Sequence, residues 1–573
     1  MESVFVQFIR QHRALLAALA GLTLAAAFLE WGVAGFAWLA PALLLVALHG
    51  TSGRTAFRLG YVFGLAFWLA SAHWLLFIPV RGYPVLGWVA LSAYLALYPA
   101  AWAWLVTPAP GRDAFPIASG LPAGAPLMSA WPSGTGGWGR RATWALTAAA
   151  AWVALEMIQA RLLGGFPWNL LGVSQYRLTP LIQIASFTGV YGVSFLVAWT
   201  AAGLYLAALA IWRQPTARQV WLPDILPPLM ALLAAFAAGW RGLAEREPPL
   251  ATVRVTFIQP SIPQTMIWDE TENDRRFAEL LALTQQALSN RTDLLLWPEA
   301  AVPRMLRYDE ATYRAVTDLA RTNRIWILLG SDDAEPRGGS QTPDAADYFN
   351  SSFLVSPDGA LVGRYHKRHL VMFGEYVPWT RWLPFIRWFT PITGGFTPGD
   401  AVVTFAIQLT GEPGAPEPSN GAAAPVEIRV APLICFEDVF PHRVREHARS
   451  DTDVLVNLTN DGWFGESAAQ WQHAASALFR AVENGLPLLR CCNNGLSCWI
   501  DACGRMRAVL RDAHGRIYGP ATMTVEVPLV ERNGTRSRTF YNRHGDWFGW
   551  SCVALTGLRL LPRLSRRAQR GSP

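Results

Sequence analysis

The chain has 573 residues, 52% of them hydrophobic, with a mean hydropathy of +0.21 and a formal charge of +7. It is too apolar for an ordinary soluble protein and too long for one domain. No basic block with interleaved aromatics appears, so the charge is not a nucleic-acid footprint.

Apolar runs come first, near 14–29, 32–49, 57–79, 84–106, 143–163, 190–212 and 221–240, with a weaker eighth near 547–562 that carries Arg559. Each is close to the ~20 residues that cross a bilayer. Counting alternately from an inside N-terminus, the inside loops hold Arg10, Arg13, Arg54, Arg58, Arg112, Arg140, Arg141, Arg213 and Arg218, and the tail adds Arg563, Arg566, Arg567 and Arg570. The short outside loops hold only Arg81, Arg161 and Arg177. The positive-inside rule then puts both termini in the cytoplasm and the long segment after the seventh span on the outer face. The Trp count of 27 suits the interfacial belts of such a protein. Residues 108–141 read as a Pro/Gly-rich cytoplasmic loop.

From about 250 to 535 the texture changes. Strand-like runs (253–260, 293–300, 325–332, 351–359, 428–438, 453–461) alternate with helical ones (275–290, 468–485), which predicts an α/β domain. Residues 408–427 read as a surface loop. Expected boundaries are therefore 1–245 for the membrane domain, 250–535 for the α/β domain, and 546–573 for a last span with its basic tail. None of the six cysteines forms a CxxC pair or sits at zinc spacing from histidine, so neither metal nor cofactor is expected. A disulfide among Cys491, Cys492, Cys498 and Cys503 stays open.

Three strand ends carry reactive groups. Glu299 follows LLLWP, Lys367 follows LVGRYH, and Cys435 follows VAPLI. Beyond the carboxyl ends of strands, side chains from separate strands converge. A thiol with a pKa near ~8.5 needs a base and a nearby cation to act as a nucleophile at neutral pH. A glutamate can shuttle the proton, and an ammonium can hold the thiolate and then an oxyanion. Lys367 is the only lysine among 48 Lys+Arg. A compact ammonium serves as a point donor where a planar guanidinium cannot.

LLLWPEA, GRYHKRHLVMFGEYVP and APLICFED together resemble the three blocks of the nitrilase, or carbon–nitrogen hydrolase, superfamily with its Glu-Lys-Cys triad. With that domain set between membrane spans, the layout resembles the apolipoprotein N-acyltransferase family. IQPSIPQTMIWDE, GGFPWNLLG, NDGWFG, PLLRCCNNG and YNRHGDW match as well. The resemblance implies an extramembrane αββα sandwich beside about eight transmembrane helices. It implies Glu299 as general base, Lys367 as oxyanion donor with the Phe436 N–H, and Cys435 as nucleophile. It also implies supporting roles for Glu375 and Glu437, and a substrate contact at Trp268. The partners it implies are a phospholipid acyl donor, a diacylglyceryl apolipoprotein acceptor and the bilayer, with no nucleic acid and a monomeric chain. The location it implies is the bacterial inner membrane, with the α/β domain in the periplasm. Two departures stand out: Phe436 replaces the family's usual Tyr, and PSIPQ replaces Gly-Asn-Ile-Pro-Gln. A membrane-tethered amidase with the same triad, and a non-enzymatic transporter with ionisable groups such as His73 and Glu156 in its helices, are the competing readings.

Overall fold

The computed structural model describes residues 2–80, 83–107, 137–213, 215–244, 249–267, 269–337, 346–380, 382, 384–385, 395–409, 426–530 and 538–570. The chain divides into two compact units. One comprises Met1–Leu76, Val85–Ala244 and His544–Pro573; the other comprises Phe77–Pro84 and Glu245–Arg543.

The first unit is helical. Among the described residues, three helices are long and apolar enough to cross a membrane by length and composition: Tyr83–Val106, Val190–Trp212 and Arg218–Ala244. The other expected spans fall on helices that are shorter or more polar: Glu2–Ala26, Gly35–Leu48, Gly53–Ser71, Trp138–Gln159 and Trp547–Arg570. Small residues let these helices approach closely. A Cβ on Gly60 would lie 2.6 Å from both the Ala103 Cβ and the Pro99 carbonyl oxygen. Arg141, counted above as a loop charge, is instead within Trp138–Gln159 and buried against Asp224 at 2.9 Å. An apolar environment drives the guanidinium to that carboxylate.

Among the described residues the second unit holds twelve strands: β1 (Pro249–Gln259), β2 (Leu294–Leu296), β3 (Trp326–Pro336), β4 (Ala346–Val355), β5 (Leu361–His366), β6 (Phe405–Leu409), β7 (Val426–Ile434), β8 (Val454–Thr459), β9 (Leu488–Cys492), β10 (Cys498–Ile500), β11 (Met506–Val509) and β12 (Ala521–Val530). They form two six-stranded sheets, in the orders β12-β1-β2-β3-β4-β5 and β11-β10-β9-β8-β7-β6. The centre of each sheet is parallel, β1-β2-β3 in one and β7-β8-β9 in the other. Such strands are covered on both faces and read as continuous apolar runs. β8 (VLVNLT) is buried throughout.

The core between the sheets takes Val255, Phe257 and Leu296 from one and Val430, Val456 and Leu489 from the other. On the outer face of the first sheet, Leu295, Trp297, Ile327 and Leu329 pack with Leu280 of the helix Asn273–Ala287 and Val316 of the helix Glu310–Asn323. The expected α/β domain is thus a nitrilase-like sandwich of two sheets.

Some boundaries differ from expectation. β2 stops three residues before Glu299, because Pro298 cannot donate to a ladder. The expected loop 408–427 overlaps strand at both ends: β6 runs to Leu409 and β7 starts at Val426. A short half-buried edge strand gives little apolar signal beside a Pro/Gly-rich stretch. Residues 410–425 lie outside the described residues, as do 108–136 of the expected cytoplasmic loop.

Candidate active site

Glu299 is reached through an irregular turn. Trp297 still pairs with β3, its N–H donating to the Leu328 carbonyl at 3.0 Å, and Ala300 then takes a positive φ of 50°. The turn passes over Gly330 of β3 so closely that a Cβ there would sit 2.5 Å from the Pro298 oxygen and 2.8 Å from the Glu299 Cα. Glu299 is thereby held inward, and it is 7% exposed.

Lys367 follows β5 directly and is fully buried. Its N–H donates to the Asn350 carbonyl at 2.8 Å, which fixes the chain beside β4. Its Nζ donates to Glu299 Oε1 at 3.3 Å and to Glu375 Oε1 at 2.8 Å. Asn350 donates through Nδ2 to the same two oxygens, at 2.8 and 2.9 Å. Glu375 is aimed by its own turn, its Oε2 accepting from the Val371 N–H at 2.8 Å. One ammonium and one amide therefore hold two carboxylates through one oxygen each. Glu299 Oε2 is buried and, among the described residues, has no hydrogen-bond partner. Burial works against the Lys367 ammonium, yet Glu375, Glu299 and the Cys435 sulfur outweigh it and hold the group charged well above the ordinary lysine range.

Cys435 follows β7 directly with a left-handed φ of 52°, a strained conformation for a residue with a Cβ. Two contacts hold the elbow. Asn457 Nδ2 donates to the Cys435 carbonyl at 3.0 Å, and Glu437 Oε2 accepts from the Ile434 N–H at 2.8 Å. Glu437 Oε1 accepts from the N–H groups of Arg368 and His369 at 2.8 and 3.1 Å, and Tyr365 donates its hydroxyl to both carboxylate oxygens. Glu437 thus ties the Cys435 elbow to the segment that carries Lys367. The Phe436 ring packs edge-on against Phe440, with centroids 5.1 Å apart. Burial pushes the Cys435 thiol well above its ordinary range; Glu299 adds to this, Lys367 opposes it, and Asp461 adds again. Burial and Glu299 thus work against the thiolate, so the sulfur needs a base beside it when it attacks.

Behind the elbow lies a second buried cluster that the sequence reading missed. Arg490 binds Asp438 at 2.7 Å and Asp461 at 2.6 Å; His473 binds the same two carboxylates, each at 2.8 Å. Burial raises the Asp461 pKa, but Arg490 and His473 prevail and hold it down to about 2. The Thr459 hydroxyl, at the end of β8, donates to Asp461 Oδ1 at 3.4 Å.

Glu299, Lys367, Glu375 and Asn350 share a hydrogen-bond network, and Glu437 joins it to Cys435 and Phe436 across the sheets. Trp268 lies outside the described residues. Asn350 was missed, though a lone amide inside the run YFNSSFLV is the kind of polar interruption that marks a site. Among the described residues all six cysteines are free thiols. Asp333, Glu335 and His366 bring ligand atoms within 4.8 Å of one another. Arg307 binds Asp333 through two hydrogen bonds, and Arg364 pairs with Glu335, so both carboxylates already meet guanidinium groups. His73 and Glu156, the groups that motivated a transporter reading, bond within the helical unit: His73 to the Ala70 carbonyl, Glu156 to Trp152 and to the Leu171 N–H.

Comparison with known proteins covers both units. Residues 254–530 match the carbon-nitrogen hydrolase family model, and residues 20–203 match that of the apolipoprotein N-acyltransferase N-terminal domain. The apolipoprotein N-acyltransferase of Geobacter metallireducens is 36% identical, over 94% of this chain and 93% of the relative. That of Vibrio vulnificus is 29% identical over 96% of each. Among solved structures, an amidase variant from Nesterenkonia sp. AN1 is 16% identical, covering 48% of this chain and 93% of its own, with a TM-score of 0.33. On the length and identity of the first match, this chain belongs to the apolipoprotein N-acyltransferase family.

Proposed function

We propose that this chain moves an acyl chain from a phospholipid to the α-amine of the N-terminal diacylglyceryl-cysteine of a lipoprotein, through a thioester on Cys435. The observation that carries this reading is a buried thiol on a strained elbow, tied through Glu437 to the segment that bears a buried Glu–Lys pair, in a chain whose helical unit matches the family's N-terminal domain. Glu299 takes the Cys435 proton as sulfur attacks the ester carbonyl. The ester C–O bond breaks, and Glu299 returns the proton to the departing lysophospholipid. The amine then attacks the thioester carbon, and Glu299 takes its N–H proton and passes it to sulfur as the C–S bond breaks. In both steps Lys367 and the Phe436 N–H stabilise the oxyanion. Glu375 and Asn350 orient Lys367 and Glu299, and Glu437 fixes the distance from Lys367 to the elbow. Trp268 serves as a substrate contact.

The same reading takes eight transmembrane helices, including the five that are shorter or more polar, and places both termini in the cytoplasm and the α/β unit on the periplasmic face of the inner membrane, in line with the arginine pattern. The chain acts as a monomer, without metal or cofactor. Beside Glu375, Phe373, Trp379, Trp382 and Phe385 are exposed, Trp382 by 78%. Such a patch suits contact with lipid at the site's mouth, where exposing acyl chains to water would cost about 0.8 kcal/mol per CH₂.

The test is a strain whose only copy carries Cys435→Ala. Lipoprotein N-termini should be diacylated by mass spectrometry, and three acyl chains there would end the assignment. Ammonia release from small amides by the purified protein, without acylation of a diacylated peptide, would move the activity to hydrolysis.

A further inference from the structure

The acyl-transfer reading leaves one proton unassigned. An α-amine has an ordinary pKa of about 7.7–8.0, so the acceptor reaches the site mostly as R–NH₃⁺. In becoming an amide nitrogen it loses two protons. One ends on the Cys435 sulfur as the thiolate leaves, by way of Glu299. The other needs a second acceptor before attack, because an ammonium has no lone pair.

Asp332 belongs to the same cluster of carboxylates as Glu299 and Glu375. It lies on β3 directly opposite Asn350 on β4. Opposed residues share a face of the sheet. Here it is the face between the sheets, since Leu328 and Leu354, four residues away on the same two strands, belong to the intersheet core. Gly330, two residues from Asp332 and on the same face, meets the Glu299 backbone. Asn350 on that face already binds Glu299 and Glu375.

Asp332 is half-buried, and among the described residues its side chain makes no hydrogen bond or ion pair. The groups acting on it are Glu299, Glu375, Arg276 and Asp333. Burial and the two glutamates push its pKa up to about 7, with Arg276 pulling against them. Arg276 is itself engaged elsewhere, its guanidinium donating to the Ile267 carbonyl at 2.8 Å. Two further acceptors in the same cluster lack donors: Glu299 Oε2 and Asn350 Oδ1, on residues 7% and 6% exposed. An ammonium brings three N–H donors and the missing charge.

We propose that Asp332 receives the acceptor's ammonium beside the Cys435 thioester and takes its first proton. The step balances. Asp332–COO⁻ and R–NH₃⁺ give Asp332–COOH and R–NH₂. The freed lone pair forms the N–C bond, the C–S pair stays on sulfur, and the second N–H proton passes through Glu299 to sulfur. The proton on Asp332 leaves to water from its exposed side. The sum is R–NH₃⁺ plus thioester giving amide, free thiol and one H⁺.

The test separates the two half-reactions in full-length protein, using phosphatidylglycerol and phosphatidylethanolamine as donors and a synthetic diacylated lipopeptide as acceptor. With D332N, thioester formation on Cys435 from phosphatidylglycerol should stay within about threefold of the unaltered protein, which also reports a folded site. Transfer to the lipopeptide should fall about 10- to 100-fold at pH 7. At pH 9 the amine arrives neutral, and the deficit should shrink to about threefold. D332E should keep most of the transfer rate. Equal slowing of both half-reactions, or a deficit unchanged at pH 9, would overturn the proposal. Slowing confined to thioester formation from phosphatidylethanolamine would also overturn it, by assigning Asp332 to the donor's headgroup ammonium. If the unaltered protein formed no thioester at all, the acyl-transfer reading itself would fall, and this inference with it.

Discussion

Two clusters of buried charge in the α/β unit invite comparison, and both border the Cys435 elbow. In one, Asp438, His473, Asp461 and Arg490 form a closed ring in which every group meets opposite charge at 2.6–2.8 Å. In the other, two carboxylates, Glu299 and Glu375, share a single ammonium and one neutral amide, so the negative charge is not matched. A buried charge without a matching partner is costly. A fold selected for stability alone would match the charge of the Glu299–Glu375 cluster as it has matched that of the ring. The closed ring holds shape, and the open cluster keeps a valence free for a proton or a substrate.

If that division is right, changes in the open cluster should abolish chemistry and spare the fold. Cys435→Ala should give the largest effect, a loss of acyl transfer on the order of 10³-fold or more. The thioester peak in the intact mass should vanish while the melting temperature stays within a few degrees. Lys367→Arg comes next. The charge is kept, but a planar fork replaces a point donor at 2.8 Å from Glu375. Transfer should fall roughly 10²- to 10³-fold, the range for loss of one oxyanion donor. Near-normal turnover in that variant would show that charge alone suffices at Lys367, and the lone lysine would lose its explanation.

The closed ring should behave in the opposite way. Arg490→Met leaves Asp438 and Asp461 facing each other with only His473 between them. Removing one partner from a buried ion pair costs about 3–5 kcal/mol, so the melting temperature should drop sharply. Any folded fraction should keep a normal rate per thioester-competent site.

A smaller effect of the same ring is its acid dependence. Asp461 is held down to about 2 in the folded state, against an ordinary 3.8. A depressed carboxylate adds stability above its unfolded pKa and loses it as pH falls toward its folded one. About 2 kcal/mol should therefore be lost between roughly pH 4 and pH 2. His473 has the opposite sign. Its pKa is raised: burial and Arg490 oppose the charge, but Asp438 and Asp461 outweigh them. Its contribution is full below about pH 6.5 and declines only above that, outside the acid window. Thermal melts across pH 2–5 should show the step in the unaltered protein and lack it in Asp461→Asn.

The open cluster was largely legible in the sequence and the closed one was not, for a physical reason. Glu299, Lys367 and Cys435 each end an apolar strand run, and each lies in a block with distinctive neighbours, so local pattern was enough. Asp438, Asp461, His473 and Arg490 come from the turn after β7, the turn after β8, the helix Ala469–Asn484 and β9. Their meeting depends on how separate elements pack, which no local pattern encodes. Asp332 and Asn350 fall between the two cases. Their polarity inside strand runs was visible, but their shared face required the β3–β4 register. The membrane unit was legible as apolar runs. How many cross a bilayer was not, because small and polar residues that let helices pack also lower their hydropathy.

The smallest predicted effect concerns the one position where the elbow departs from the family's usual residue. Phe436 follows the nucleophile, and the proposed oxyanion contact there is its backbone N–H. That N–H is placed by the elbow, through Glu437 on the Ile434 N–H and Asn457 on the Cys435 carbonyl, and neither contact involves the ring. The ring meets Phe440 edge-on at 5.1 Å and His369 at 6.4 Å, and the residue is only partly buried, so an added hydroxyl can reach solvent. Phe436→Tyr should therefore change the rate of thioester formation by less than about twofold, and should leave the melting temperature nearly unchanged, as for a surface substitution of about 0.5 kcal/mol or less. A gain of tenfold or more would mean that a hydroxyl at this position enters the chemistry. The open cluster would then extend one residue past Cys435, beyond the carboxylates and the ammonium that define it here.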